Sequence, residues 1–113
     1  METAVVTIPV DQITDWPSFH EVFRRTLGFP EFYGCNMDAW IDCMTSVDTP
    51  ADGLSSVTVA PGNVLVLRID DPFSFRRRCP EQYDALIECS GFVNLRRTEV
   101  GDEPVIALLL NGR

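Results

Sequence analysis

Asn63-Val-Leu-Val-Leu-Arg-Ile69 is the stretch that decides the fold. Its length is that of a strand, and its lack of polar alternation suits one covered on both faces, as in a parallel sheet. Asp70-Asp71-Pro72 stops it and opens a short helix through Arg78. Upstream, Thr3-Ala-Val-Val-Thr-Ile-Pro-Val10 is β-branched and apolar and reads as a first strand limited by Pro9. Downstream, Pro104 to Leu110 reads as a last strand, again apolar throughout.

The connections between these strands carry a helical period. Asp15 fits an N-cap, with Pro17 in the first turn and Glu21 three residues after Ser18. Phe19, Val22, Phe23 and Leu27 then form an apolar stripe, and Gly28 closes the helix. His20 falls opposite the stripe and reads as solvated. Phe29 to Gly34 is an aromatic connector. Asn36 caps a second helix to about Ser46, in which Met37, Trp40, Ile41 and Met44 make one buried stripe. Asp48 to Asn63 carries Pro50, Gly53, Pro61 and Gly62 and reads as a long loop with a short strand at Ser56 to Val59. Pro80 opens a further helix, with Tyr83, Leu86, Ile87 and Phe92 facing inward, and Arg96 to Glu103 reads as a polar turn. Long helical crossovers between apolar strands imply parallel pairing. The expected fold is α/β: a small three-stranded parallel sheet with helices packed on it, in one domain spanning 1–113.

Composition narrows the class of partner. Seventeen Asp and Glu face nine basic residues, all of them Arg, for a net charge of −8. Such a field disfavours nucleic acid and anionic membranes and suits a basic protein. No apolar run approaches the roughly 18 residues of a membrane span. The N-terminus lacks the basic and apolar regions of a signal peptide, which gives a cytoplasmic expectation. Cys35, Cys43, Cys79 and Cys89 contain no CxxC, and His20 is the single histidine, so neither a metal site nor another cofactor is expected. A thiol at the helix start, Cys35, admits redox control of that region, with an inert packed thiol as the alternative.

The second helix holds the chemistry. Asp38 and Asp42 lie four apart, on one face, with no Arg at i±3 or i±4 to neutralise either. Their repulsion costs about 0.2–0.5 kcal/mol, and only Asp38 is close enough to the helix N-terminus to recover some of it. They read either as an anionic recognition face or as a merely solvated helix side. The adjacent aromatics Phe32 and Tyr33 suit an interface, although one of such a pair usually packs beneath the helix.

Phe-Pro-Glu-Phe-Tyr-Gly-Cys-Asn-Met-Asp-Ala-Trp-Ile-Asp-Cys-Met-Thr, from Phe29 to Thr45, resembles the signature segment of the barstar family, intracellular inhibitors of microbial guanyl-preferring ribonucleases. The resemblance implies the same three-stranded parallel fold, no catalysis, no cofactor, and a 1:1 complex with a basic extracellular-type ribonuclease. It implies that Asp42 meets the catalytic Arg and His cluster, that Asp38 engages nearby basic groups, and that Phe32 packs on an active-site side chain. Thr45 matches another contact; Tyr33, Gly34 and Asn36 match the turn and helix start; Ile41 and Ser46 complete the expected binding set. Phe32, Ile41, Ser46 and Val47 differ from the residues of the best-known member, which leaves the identity of the target open. Glu88 is a candidate for an acidic contact from the later helix. Two other readings stand beside this one: a barstar-like regulatory module with a non-nuclease partner, and an enzyme using Asp38 and Asp42 as an acid–base pair.

Overall fold

Three strands pair in sequence order, all parallel, in a computed structural model that describes residues 3–113. They are β1 (Thr3–Thr7), β2 (Val64–Asp70) and β3 (Ile106–Asn111). Helices α1 (Trp16–Leu27) and α2 (Met37–Thr45) connect β1 to β2, and α3 (Pro72–Arg78) and α4 (Pro80–Glu99) connect β2 to β3. The expected sheet and crossovers are therefore present. Short 3-10 turns occupy Val10–Gln12 and Pro50–Asp52. The first strand stops at Thr7: the Ile8 N–H still donates to the Arg68 carbonyl, but Pro9, at φ −75° and ψ 72°, centres a tight turn in which the Val10 N–H donates to the Ile8 carbonyl instead of to β2.

The register explains where the core sits. Ala4, Leu65 and Ile106 align across the sheet, as do Val6, Leu67 and Leu108. These rows face the helices, where Leu65, Leu67 and Ile69 are fully buried. The alternate row of Val5, Val66 and Ala107 faces away, and Val5 and Ala107 are exposed. The expectation that the central strand is covered on both faces is corrected accordingly: helices pack on one face, and on the other Val5, Ala107 and Leu109 are open to water. An apolar run does not distinguish a strand sandwiched between layers from one with a bare side. The molecule exposes 6202 Å², close to the roughly 6,200 Å² expected of a monomer of this mass.

The caps are local and legible. Asp15 accepts from the Ser18 N–H at 2.9 Å, and Ser18 Oγ in turn accepts from the Asp15 N–H at 3.0 Å, closing a reciprocal cap. Glu21 plays no part in it and pairs with Arg24 at 2.8 Å. Gly28 ends α1 at φ +68°, and a side chain there would meet Ser56 Cβ at 2.4 Å. Leu27 and Gly28 anchor the long loop: the Ser56 and Val57 N–H groups donate to the Leu27 carbonyl, and Ser56 Oγ donates to that of Gly28. Ser56 to Val59 forms no strand; Val59 N–H instead reaches the Val47 carbonyl, tying the loop beneath α2.

Two further corrections concern α4. It runs through Glu99, absorbing residues expected to lie in a polar turn. Leu95, Arg96 and Arg97 are good helix formers, and polarity alone does not end a helix. Its buried residues are Gln82, Leu86, Ser90, Val93 and Arg97, one stripe along the helix. Ile87 and Phe92 fall beside that stripe and are exposed, contrary to expectation. The bulk of their side chains favours burial, but the crossing of α4 over the sheet selects a different face.

Candidate functional site

The site is built from the connector 29–36 and the helix it starts. Phe29 and Tyr33 turn inward, with ring centroids 4.9 Å apart. The Tyr33 N–H donates to the Pro30 carbonyl, a tight turn that puts Phe32 at its apex. Phe32 is 78% exposed. The Tyr33 hydroxyl lies 2.6 Å from Nδ1 of His20, so the turn is fastened to α1. This corrects the reading of His20 as solvated: it is buried, with Trp16 stacked on it and the Phe19 ring edge-on. Burial holds its pKa below the usual 6.5 and pushes the Tyr33 phenol well above its own ordinary value.

Cys35 then takes a left-handed conformation, φ +53°, before Asn36 caps α2. The Asn36 side-chain oxygen accepts from the Ala39 N–H at 2.8 Å, so this residue sets the start of the helix. Trp40, fully buried, meets the Phe23 ring edge-on at 5.7 Å and fixes the helix against α1. Asp38 and Asp42 are thereby left on the outer side, both exposed. Of the other expected contact residues, Ile41 and Tyr33 are buried, beneath the helix and the turn. Thr45 donates its hydroxyl to the Ile41 carbonyl at 2.6 Å, and Ser46 ends the helix; both are half-buried. Cys35 is exposed, whereas Cys43 is buried, and burial, aided by the adjacent Asp42 charge, pushes its thiol up to about 11.

Phe32 and Asp42 come together at a cavity of about 340 Å³, whose wall also includes Pro30, Gly34, Ala39 and, from the long loop, Leu54. An apolar ring, an open carboxylate and a shallow apolar floor suit a planar cation such as guanidinium. Asp38 stands one turn back, toward α4, where its charge and that of Glu88 help burial raise the Cys89 pKa. Asp38 and Asp42 are both exposed, so water reaches either carboxylate. A larger cavity, about 550 Å³, lies at the carboxyl ends of β1 and β2. There Arg78 is spent on the Val10 and Ile13 carbonyls, and Asp70 on Arg68 and Asn111.

Two arginines of α4 were invisible as members of this site. Arg97, expected in a polar turn, is buried. It forks onto Asp48 at 3.0 and 2.6 Å and also donates to the carbonyls of Thr45 and Glu103. It thus fastens the C-terminal end of α2, where a cation is also favoured by the helix dipole. Arg96 reaches Asp42 Oδ1 at 3.4 Å. The absence of an Arg one turn away within α2 therefore does not leave Asp42 unpaired. The contact is single and long, and the Asp42 side chain stays 66% exposed.

A family model described as Barstar (barnase inhibitor) matches residues 3–105. No curated protein matches the chain.

Proposed function

The chain belongs to the barstar family, and on that premise we propose that it inhibits a basic microbial ribonuclease by covering the active site with α2 and the connector before it. The carrying observation is the pairing of Phe32 and Asp42, both exposed, at the rim of one cavity beside a firmly capped helix. In this reading the carboxylate stands in for an RNA phosphate oxygen and takes charge-assisted hydrogen bonds from the enzyme's arginines. Phe32 supplies the apolar contact beside it. Asp38 and the acidic balance of the chain, −8, draw the basic enzyme in. Thr45, Ser46 and the connector backbone flank the contact, while Tyr33, Asn36 and Ile41 keep its geometry.

Inhibition of RNA hydrolysis by a panel of basic guanyl-preferring ribonucleases tests this reading, with binding kinetics followed at low and high salt. A 1:1 complex is expected, its association slowing as salt rises. Asp42→Asn should cost more than a hundred-fold in Kd, the scale of leaving an enclosed cation unpaired, about 3 kcal/mol or more. Asp38→Asn should cost less and act mainly on association. Intact inhibition by both variants would refute the assignment. Failure against every ribonuclease, with capture of a non-nuclease protein instead, would favour the regulatory module.

A further inference from the structure

We propose that Arg96 is an internal competitor for the partner's cation: it occupies Asp42 in the free protein and sets how much positive charge a partner must bring. This rests on the inhibitor reading of the same face. Arg96 arrives from α4, a different element from the helix that carries Asp42. Its guanidinium carbon lies 5.9 Å from the centre of the Phe92 ring, one turn earlier on α4. Phe92 is itself exposed, so this ring supports the arginine from behind rather than anchoring it in the core. Among the described residues, Asp42 is the one carboxylate paired with Arg96.

The pair is built to be displaced. Its 3.4 Å separation is longer than the 2.7–2.9 Å of a strong charge-assisted bond. The two side chains are 45% and 66% exposed, so water competes for both. Contrast Arg97, the next residue on α4, and Asp48, in the turn after α2, whose side chains are 9% and 11% exposed and joined through both carboxylate oxygens. One neighbouring arginine is a permanent brace and the other a placeholder. An exposed pair of this kind leaves Asp42 free for a minor but substantial fraction of the time, which weakens a competing cation by about two- to six-fold. A lone surface lysine or arginine on an unrelated protein pays that whole factor for a weak contact. A partner with several cations in a dry cleft bears the same factor, but its Kd lies far enough below its concentration that it stays bound, whereas a stray basic protein near its Kd loses occupancy.

Arg96→Gln is the decisive variant, with Arg77→Gln as a control. Arg77 is exposed on α3, away from Asp42, and its loss makes the same change in net charge. Each variant, with Asp42→Asn and the Arg96→Gln/Asp42→Asn double variant, is titrated with hexa-arginine peptide and with the inhibited ribonuclease. Arg96→Gln should tighten hexa-arginine binding about two- to six-fold beyond Arg77→Gln. The gain should vanish in the Asp42→Asn background. Free-protein 15N NMR should find the Arg96 guanidinium rotating faster in Asp42→Asn. Equal gains from the two arginine variants, or weaker binding by Arg96→Gln, would overturn the proposal. Failure to inhibit any ribonuclease would instead defeat the inhibitor reading, and the hexa-arginine comparison would still decide whether Arg96 competes.

Discussion

Replacing Arg97 by Met should be among the most damaging single changes available to this protein. Arg97 makes four hydrogen bonds, two to the Asp48 carboxylate and one each to the Thr45 and Glu103 carbonyls, at 2.6–3.0 Å. Methionine keeps much of the volume and none of the donors. Bonds to charged groups contribute about 1.5–3 kcal/mol each, but the four share one guanidinium and are not additive. The better bound is the roughly 3–5 kcal/mol lost when one member of a buried pair is removed and the other charge is stranded. Unfolding entropy of about 2.1 cal/mol/K per residue over 113 residues makes each kcal/mol worth about 4 °C. The melting point should therefore fall by about 12–20 °C. Urea unfolding followed by circular dichroism measures the loss directly, and the denaturant slope should not change. Asp48→Asn in the Arg97→Met background should add little further loss, because the stranded charge is gone. Hydrogen exchange should accelerate first in the last turn of α2, which Arg97 holds. A loss under about 1 kcal/mol would mean that this pair is solvated like a surface bridge, and the account of how α2 is fastened would fail.

Gly28→Ala should destabilise by more than about 1 kcal/mol, since its Cβ would sit 2.4 Å from Ser56 Cβ at φ +68°; adding Ser56→Gly should recover part of the loss in urea unfolding, because it relieves the clash but not the backbone strain. Stability should fall as pH drops below about 6.5: burial lowers the folded pKa of His20, so the unfolded chain binds the proton first and the loss continues until the lowered folded value is reached. The part of the pH slope due to this group should disappear in His20→Gln, measured by urea midpoints between pH 5 and 7.5; an unchanged slope would remove His20 from the account. Under native conditions a thiol reagent should label Cys35 first and Cys43 only on unfolding, since the Cys43 thiol is buried and its pKa is raised to about 11; mass spectrometry of partly labelled protein distinguishes them, and early labelling of Cys43 would contradict its placement in the core.

The features legible in the amino-acid order were those determined over a few residues. Asp15 and Asn36 cap their helices because a short side chain reaches the backbone N–H three residues on. Gly28 ends α1 because it alone enters the left-handed region there without a steric penalty. The stripe of Trp40, Ile41 and Met44 puts Asp38 and Asp42 outside by helical period, whatever the helix packs against. Three apolar runs separated by helical crossovers leave parallel pairing as the economical arrangement.

Tertiary structure decided everything that depends on which surface meets which. Periodicity put His20 off its own helix's stripe, yet the connector folds over that side and brings Tyr33 to it. Ile87 and Phe92 have core-like side chains but lie on the outer flank of α4, while Arg97 goes inside because Asp48 and two carbonyls await it there. The sheet has one bare face, where Val5 and Ala107 are exposed, because the buried rows through Leu65, Leu67 and Ile69 all turn to the other. Above all, Asp42 and Arg96 are 54 residues apart in the chain and meet through the packing of α2 on α4. Helical spacing within α2 cannot register a charge delivered from another element. Local chemistry wrote the carboxylates onto the surface; the long-range crossing of two helices determined what stands opposite them.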